Sequence, residues 1–205
     1  LLARQLRERG CRILLAPTIN IIRSPFAGRS FETFGEDPLL AGTLAAAYVR
    51  GVPGGGCVAT LKHFVGNEAE HERYVSNSVI DERALREIYL RPFEIAVREG
   101  GAAAVMTSYN RVNGEWPAND HRLLTAILRN EWGFEGIVMT DWFGVADTRR
   151  ARRRGLLGRD ELDGALVIER CRWIPTIGMR LPIAAAYLDD DGIVVKTMHR
   201  SLIHI

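Results

Sequence analysis

The sequence has no Cys-x-x-Cys pair, and its three cysteines, Cys11, Cys57 and Cys171, are sparse and odd in number. That usage argues against a disulfide framework and against a structural zinc site. No apolar run reaches the ~18 residues of a spanning helix, so no membrane partner is expected. No secretory leader is visible, and the chain opens Leu1-Leu2-Ala3-Arg4 without an initiator Met. The natural start is therefore expected upstream, and neither a cytoplasmic nor a secreted location is assigned. A phosphate cradle is lacking too: Gly54-Gly55-Gly56 precedes a strand-like run instead of following one. His63 and His71 stand eight apart, which is not a metal-ligand spacing, so neither metal nor cofactor is expected. The net charge of +2 gives no reason to expect nucleic acid as a partner.

What is present is an ordinary globular composition, 47% hydrophobic and 25% charged over 205 residues, and a rhythm. Residues 1–9 have helical spacing and a stop at Gly10. Cys11 to Ala16 reads as a buried strand. Asp37-Pro38 reads as an N-cap and first helical position, for a helix through Leu40, Leu44 and Tyr48 to about Gly51. Cys57 to Leu61 is a second strand. Asp81 caps a helix that buries Leu85, Ile88, Tyr89 and Phe93, and Pro92 should split it. Ala102 to Thr107 is a third strand. Asp120 caps a helix carrying Leu124, Ile127 and Leu128, closed at Gly133, and Gly136 to Thr140 is a fourth strand.

Strands alternating with helices predict parallel βαβ units, and apolar runs without alternation predict strands buried on both faces. A doubly wound sheet and a (β/α) barrel both fit. Each run ends in polar residues: Asn20 and Arg23, then Lys62-His63, then Tyr109-Asn110, then Asp141. Barrel enzymes build their sites at such strand ends, so the expected fold is α/β, a partial (β/α) TIM-type barrel of about four βα units over residues 1–146. Residues 147–205 lose the rhythm, beginning with the Arg-rich run at 149–154, and are expected to form an irregular, poorly ordered tail.

Several polar residues can carry chemistry. Asp141 follows an apolar strand directly, and Trp142 beside it offers a flat face to a sugar ring; by pattern alone Asp141 reads also as the N-cap of a following helix. Lys62 and His63 are adjacent donors suited to sugar hydroxyls, and Lys62 has a rival reading as a Schiff-base lysine. Arg29 and Arg73 can clamp substrate oxygens through their planar forks. Either can instead be a structural ion pair, with Glu32, Glu36, Glu68, Glu70 and Glu72 close by in sequence.

Taken in order, several segments resemble glycoside hydrolase family 3, in its β-glucosidase branch. They are Ala16-Pro17-Thr18-Ile19-Asn20-Ile21-Ile22-Arg23-Ser24-Pro25, Gly28-Arg29-Ser30-Phe31-Glu32 and Gly35-Glu36-Asp37-Pro38. Lys62-His63-Phe64, Asn67-Glu68 and Glu72-Arg73 follow, then Ser108-Tyr109-Asn110, Asn113-Gly114 and Thr140-Asp141-Trp142. The resemblance runs over residues 1–144 and implies a retaining hydrolase of O-glycosyl bonds acting on a β-glucoside or oligosaccharide. It implies Asp141 as the nucleophile that forms a glycosyl-enzyme intermediate. Arg29, Lys62, His63, Arg73 and Tyr109 are implied to hold the innermost sugar, and Trp142 to line the site. The N-acetylglucosaminidase branch carries a Gly-His-Gly-type loop after Lys-His; Phe64-Val65-Gly66-Asn67-Glu68 stands there instead, which disfavours that branch.

Two departures follow. The resemblance implies a general acid/base Glu on a following domain, and an early sugar-binding carboxylate upstream of Leu1, so the isolated fragment is expected to be inactive or weak. After Asp-Trp-Phe-Gly the family continues with an Ala-rich helix, where this chain has Arg-Arg-Ala-Arg-Arg-Arg. Ala codons of GC-rich DNA read out of frame become Arg codons, so residues 147–205 read as a frameshifted segment or as a divergent extension. A non-catalytic sugar-binding remnant and a Schiff-base lyase using Lys62 stand as the alternatives.

Overall fold

The computed structural model describes residues 2–52 and 56–142, with the backbone of Ile183–Leu188 and Val194–Arg200. Its centre is a four-stranded, wholly parallel sheet. The strands are β1 (Ile13–Leu14), β2 (Val58–Phe64), β4 (Ala104–Thr107) and β6 (Ile137–Thr140), and their spatial order follows the chain. A bridge between Thr18 and Lys62 carries the β1–β2 contact further along. Every residue of β4 is buried, which is the two-sided burial expected of a parallel sheet.

Local chemistry sets the helices. The first, α1 (Leu2–Glu8), ends before Gly10, whose φ of +68° suits a residue without Cβ. In α2 (Pro38–Gly51) the Asp37 side chain accepts from the Leu39 and Leu40 N–H groups, and Pro38 stands at the first turn. Asp81 accepts from Ala84 N–H at the start of α3 (Glu82–Ala84), which runs into a π-wound turn, Leu85–Tyr89. Pro92 then lies in the first turn of α4 (Arg91–Arg98), so the predicted split is real and the proline costs no internal bond. Asp120 accepts from Arg122 and Leu123 N–H at the head of the π-wound helix Arg122–Glu131.

The expected course of α2 holds. Leu39, Leu40 and Leu44 are exposed, and the buried face is Ala41, Gly42, Ala45, Ala46 and Val49. The reason is close packing on α4. A Cβ on Gly42 would stand 2.8 Å from Ile95 Cδ1, and one on Gly100 would stand 2.8 Å from Ala46 Cα. Small side chains there let the helices approach, and the larger leucines turn outward. Beneath the helices, Phe64 packs edge-on against Phe93 at 5.1 Å and against Trp132 at 6.1 Å.

A short parallel ladder joins β3 (Asn77–Ser78) to β5 (Arg111–Val112). Neither strand is visible as a periodic run, because each is only two residues long. Asn113 closes the ladder, accepting from Ile80 N–H and donating to Ile80 C=O, both at 2.8 Å. The ladder fixes the loop after β2 against the loop after β4.

In the segment expected to be irregular, β7 (Ile183–Leu188) and β8 (Val194–Arg200) pair antiparallel as a separate two-stranded sheet. The apolar pair Val194-Val195 falls in β8. The rest of the expectation for 147–205 lies outside the described residues.

Candidate active site

In a parallel sheet all strands end on one side, so the residues that follow them share a rim. Asp141 follows β6 directly, Tyr109 lies two residues beyond β4, and Lys62-His63 closes β2. Arg29 comes from the β1–α2 loop and Arg73 from the β2–α3 loop. These residues and Trp142, with Leu15 and Met106, line one open cleft of about 310 Å³. All seven candidates from the sequence thus meet at one place. Arg23, a strand-end residue too, turns away: its guanidinium donates to Tyr89 Oη and stacks over that ring at 5.7 Å.

Asp141 is buried, and its Oδ1 accepts the Trp142 N–H at 2.8 Å. Its Oδ2 lies 3.3 Å from His63 Nε2. The same His63 nitrogen lies 3.1 Å from Arg29 Nη1. Burial, reinforced by the charges of Arg29, Lys62 and Arg73, pushes His63 down to about 3. The ring is therefore neutral at ordinary pH, and its Nε2 can donate to Asp141 or accept from Arg29. Asn20 holds the backbone beneath it, accepting from His63 N–H at 2.8 Å and donating to His63 C=O at 3.0 Å.

The cations are anchored from behind. Arg29 Nε donates to Glu32, and Lys62 Nζ lies 3.9 Å from the other Glu32 oxygen. Burial lowers the Lys62 pKa, against the pull of Glu32. Arg73 Nη1 donates to Glu70 at 2.5 Å, and its guanidinium stacks over Tyr109 at 4.7 Å and over Tyr74 at 5.2 Å. The ion-pair reading of the two arginines holds, and each also faces the cleft. Tyr109 is raised well above the usual phenol range, first by burial and then by the Asp141 charge. Ser108 and Asn110 donate to Val65 C=O at 2.9 and 3.2 Å, which leaves Tyr109 between them aimed at the cleft.

Sequence reasoning missed Tyr74, whose ring centroid is 4.5 Å from that of Tyr109. Its place depends on the β3–β5 ladder, which no local signal announces. Glu68 lines a smaller, neighbouring cavity with Asn20 and Asn67. The residue is partly exposed, but its carboxyl is desolvated, and burial raises it to about 8.

These two shifts predict a dome of stability against pH. Between pH ~3 and ~6.5 the unfolded chain protonates His63 and the folded chain does not, so stability rises with pH. Between ~4.5 and ~8 the folded chain keeps the Glu68 proton and the unfolded chain does not, so stability falls with pH. The terms cancel from ~4.5 to ~6.5 and leave single limbs on either side, each of about 1.4 kcal/mol per pH unit at most. Urea unfolding from pH 3 to 8 should show this plateau. Glu68→Gln should flatten the alkaline limb and turn the plateau from ~4.5 to ~6.5 into a continued rise, and an unchanged alkaline limb in that variant would refute the assignment.

Comparison with known proteins gives a consistent answer. The model of the glycosyl hydrolase family 3 N-terminal domain matches residues 1–163. Beta-glucosidase B of Emericella nidulans is 53% identical over 155 residues, which is 76% of this chain and 18% of that protein. A beta-glucosidase structure from Paenibacillus barengoltzii aligns at TM-score 0.68 and 55% identity, covering 69% of this chain and 15% of that one. Beta-glucosidase 3B of Thermotoga neapolitana, solved in complex with alpha-D-glucose, aligns at TM-score 0.68 and 48% identity, over 69% of this chain and 20% of that one. The chain spans about a fifth of the length of the curated relatives it matches.

Proposed function

This chain belongs to glycosyl hydrolase family 3, and from that premise we propose that its cleft is the sugar-binding half of a retaining β-glucosidase site with Asp141 as the nucleophile. The observation that carries the reading is the cleft itself: one buried carboxylate at a strand end, ringed by Arg29, Lys62, His63, Arg73 and Tyr109. The four strands run in sequential order, where a doubly wound sheet would reverse direction at a switch point. That order supports a partial (β/α) barrel, whose sites lie at this end of the strands.

The chemistry follows. An Asp141 oxygen attacks the anomeric carbon as the bond to the aglycone oxygen breaks, giving a β-glucoside's glycosyl ester with inverted configuration. The departing oxygen takes its proton from an acid. Water then attacks the anomeric carbon from the face the aglycone left, gives its proton to the conjugate base of that acid, and breaks the bond to Asp141, which restores the configuration. The arginines, Lys62 and neutral His63 hold the hydroxyls, and Trp142 lines the cleft beside Asp141. Among the described residues lining the cleft Asp141 is the one carboxyl group, so the acid comes from elsewhere. Glu32 and Glu70 are engaged by the basic side chains behind the wall.

The test is stereochemical. Proton NMR of aryl β-glucoside hydrolysis should show β-glucose first, with the α-anomer growing by mutarotation. If α-glucose is the first product, the displacement is single and Asp141 is not a covalent nucleophile.

A further inference from the structure

Glu70 stands behind the cleft and touches both of its arginines. Oε2 lies 2.5 Å from Arg73 Nη1, and Oε1 lies 3.7 Å from Arg29 Nη1. Oε1 also accepts from Asn67 Nδ2 at 3.0 Å. The Glu70 N–H donates to Ala27 C=O at 2.9 Å, so the residue ties the loop after β2 to the loop that carries Arg29. The approach is close: a Cβ on Gly28 would stand 2.9 Å from Glu70 Cβ, and Gly28 has a φ of +94°.

We propose that Glu70 is a positioning residue, a single carboxylate that fixes Arg29 and Arg73 as one donor array for sugar hydroxyls. This rests on the reading of the cleft as a sugar site and adds that its two arginines act together. Arg29 and Arg73 come from different loops and carry like charges, so without a carboxylate between them they repel. Each is a long, partly exposed side chain that loses much rotamer freedom when it grips a ligand. Holding both beforehand moves that loss from the binding step into folding, which raises affinity. An exposed ion pair contributes little. Here the carboxylate is 22% exposed and meets two guanidinium groups and an amide, a network that is charge-assisted and partly shielded. Glu32 restrains Arg29, and Tyr74 and Tyr109 restrain Arg73. Loss of Glu70 should therefore loosen the array and leave the fold.

The experiment compares the 205-residue chain with its Glu70→Gln variant in two readouts. Without sugar, NMR of the arginine Nε–H groups, assigned through Arg29→Lys and Arg73→Lys, reports side-chain order. Both groups should be ordered in the wild type and measurably less ordered in Glu70→Gln, Arg29 keeping the restraint of its Nε–H bond to Glu32, while Arg129, stacked on Phe134, stays unchanged. Unchanged order of Arg29 and Arg73 would overturn the proposal. With sugar, calorimetry compares glucose with its monodeoxy analogues. Glucose should bind Glu70→Gln about ten- to a hundredfold more weakly, and the loss should shrink for the analogue that lacks a hydroxyl held by the arginines. An equal loss for every analogue would mean a merely structural effect and would also overturn it. A wild type that binds no glucose removes the sugar reading itself, and the NMR comparison still decides whether Glu70 holds the arginines. If Glu70→Gln does not fold, Glu70→Asp takes its place. Its retracted charge should loosen Arg29, the more distant partner, before Arg73, and no loosening of either would overturn the proposal.

Discussion

Replacing Asp141 by alanine should slow hydrolysis of an activated aryl β-glucoside by on the order of 10⁴-fold or more, since on the proposed mechanism it removes the attacking atom. The loss should fall on glycosylation and leave glucose binding close to unchanged, because Arg29, Lys62, His63, Arg73 and Tyr109 remain. The truncation also opens a small space beside His63 where the carboxylate stood. A small anion such as azide can enter it and attack the anomeric carbon from the same face. Azide should therefore restore part of the rate to Asp141→Ala and give the α-glucosyl azide, with no second inversion to restore the β configuration. Azide should do little for the wild type. A variant that keeps a tenth or more of the wild-type rate would show that Asp141 only orients or caps.

The second large effect is on the leaving group. The cleft offers one carboxyl among its described residues, and on the proposed mechanism it is spent on attack. A retaining site needs a second, ~5–5.5 Å away, to protonate the departing oxygen. Proton transfer by a positioned acid contributes about 10²–10⁴-fold. The aglycone of a dinitrophenyl glucoside leaves as a stable phenolate and does not need it, whereas the alkoxide of an alkyl glucoside does. For the 205-residue chain the aryl substrate should thus be turned over faster than the alkyl one by at least that factor, well beyond any difference in binding. Efficient alkyl-glucoside turnover, lost in Asp141→Ala, would mean that an acid acts from within the chain. Glu68, Glu70 and Glu72 would be the first to substitute. The raised carboxyl of Glu68 keeps its proton near neutrality, but it faces the neighbouring cavity rather than the cleft.

Features written in a few adjacent residues were legible. Asp37, Asp81 and Asp120 cap helices where the sequence placed caps, because capping needs a side chain and an N–H two or three positions on. Pro92 split its helix for an equally local reason. The cleft residues could be named because they follow strands and sit in family-like motifs. What depended on packing was not legible. The choice of small residues over leucines for the buried side of α2 reflects the surface of α4. The two-residue strands of the β3–β5 ladder have no period to read, so Tyr74 was missed. The partners of Arg29 and Arg73 stood open among five glutamates: each takes the one three positions away in its own loop, and only the meeting of two loops brings Glu70 to Arg29 as well.

The most direct measurement traps the intermediate. The chain is incubated with a dinitrophenyl 2-deoxy-2-fluoro-β-glucoside, whose leaving group needs no acid and whose fluorine slows the release of the glycosyl ester. Intact-mass spectrometry followed by peptide mapping should find one fluoroglucosyl group, on the peptide and residue of Asp141, and none on Asp141→Ala. Glucose binding without any adduct would make the cleft a non-catalytic sugar site. An adduct on another carboxylate, or a borohydride-reducible adduct on Lys62, would contradict the assignment of Asp141 as the nucleophile.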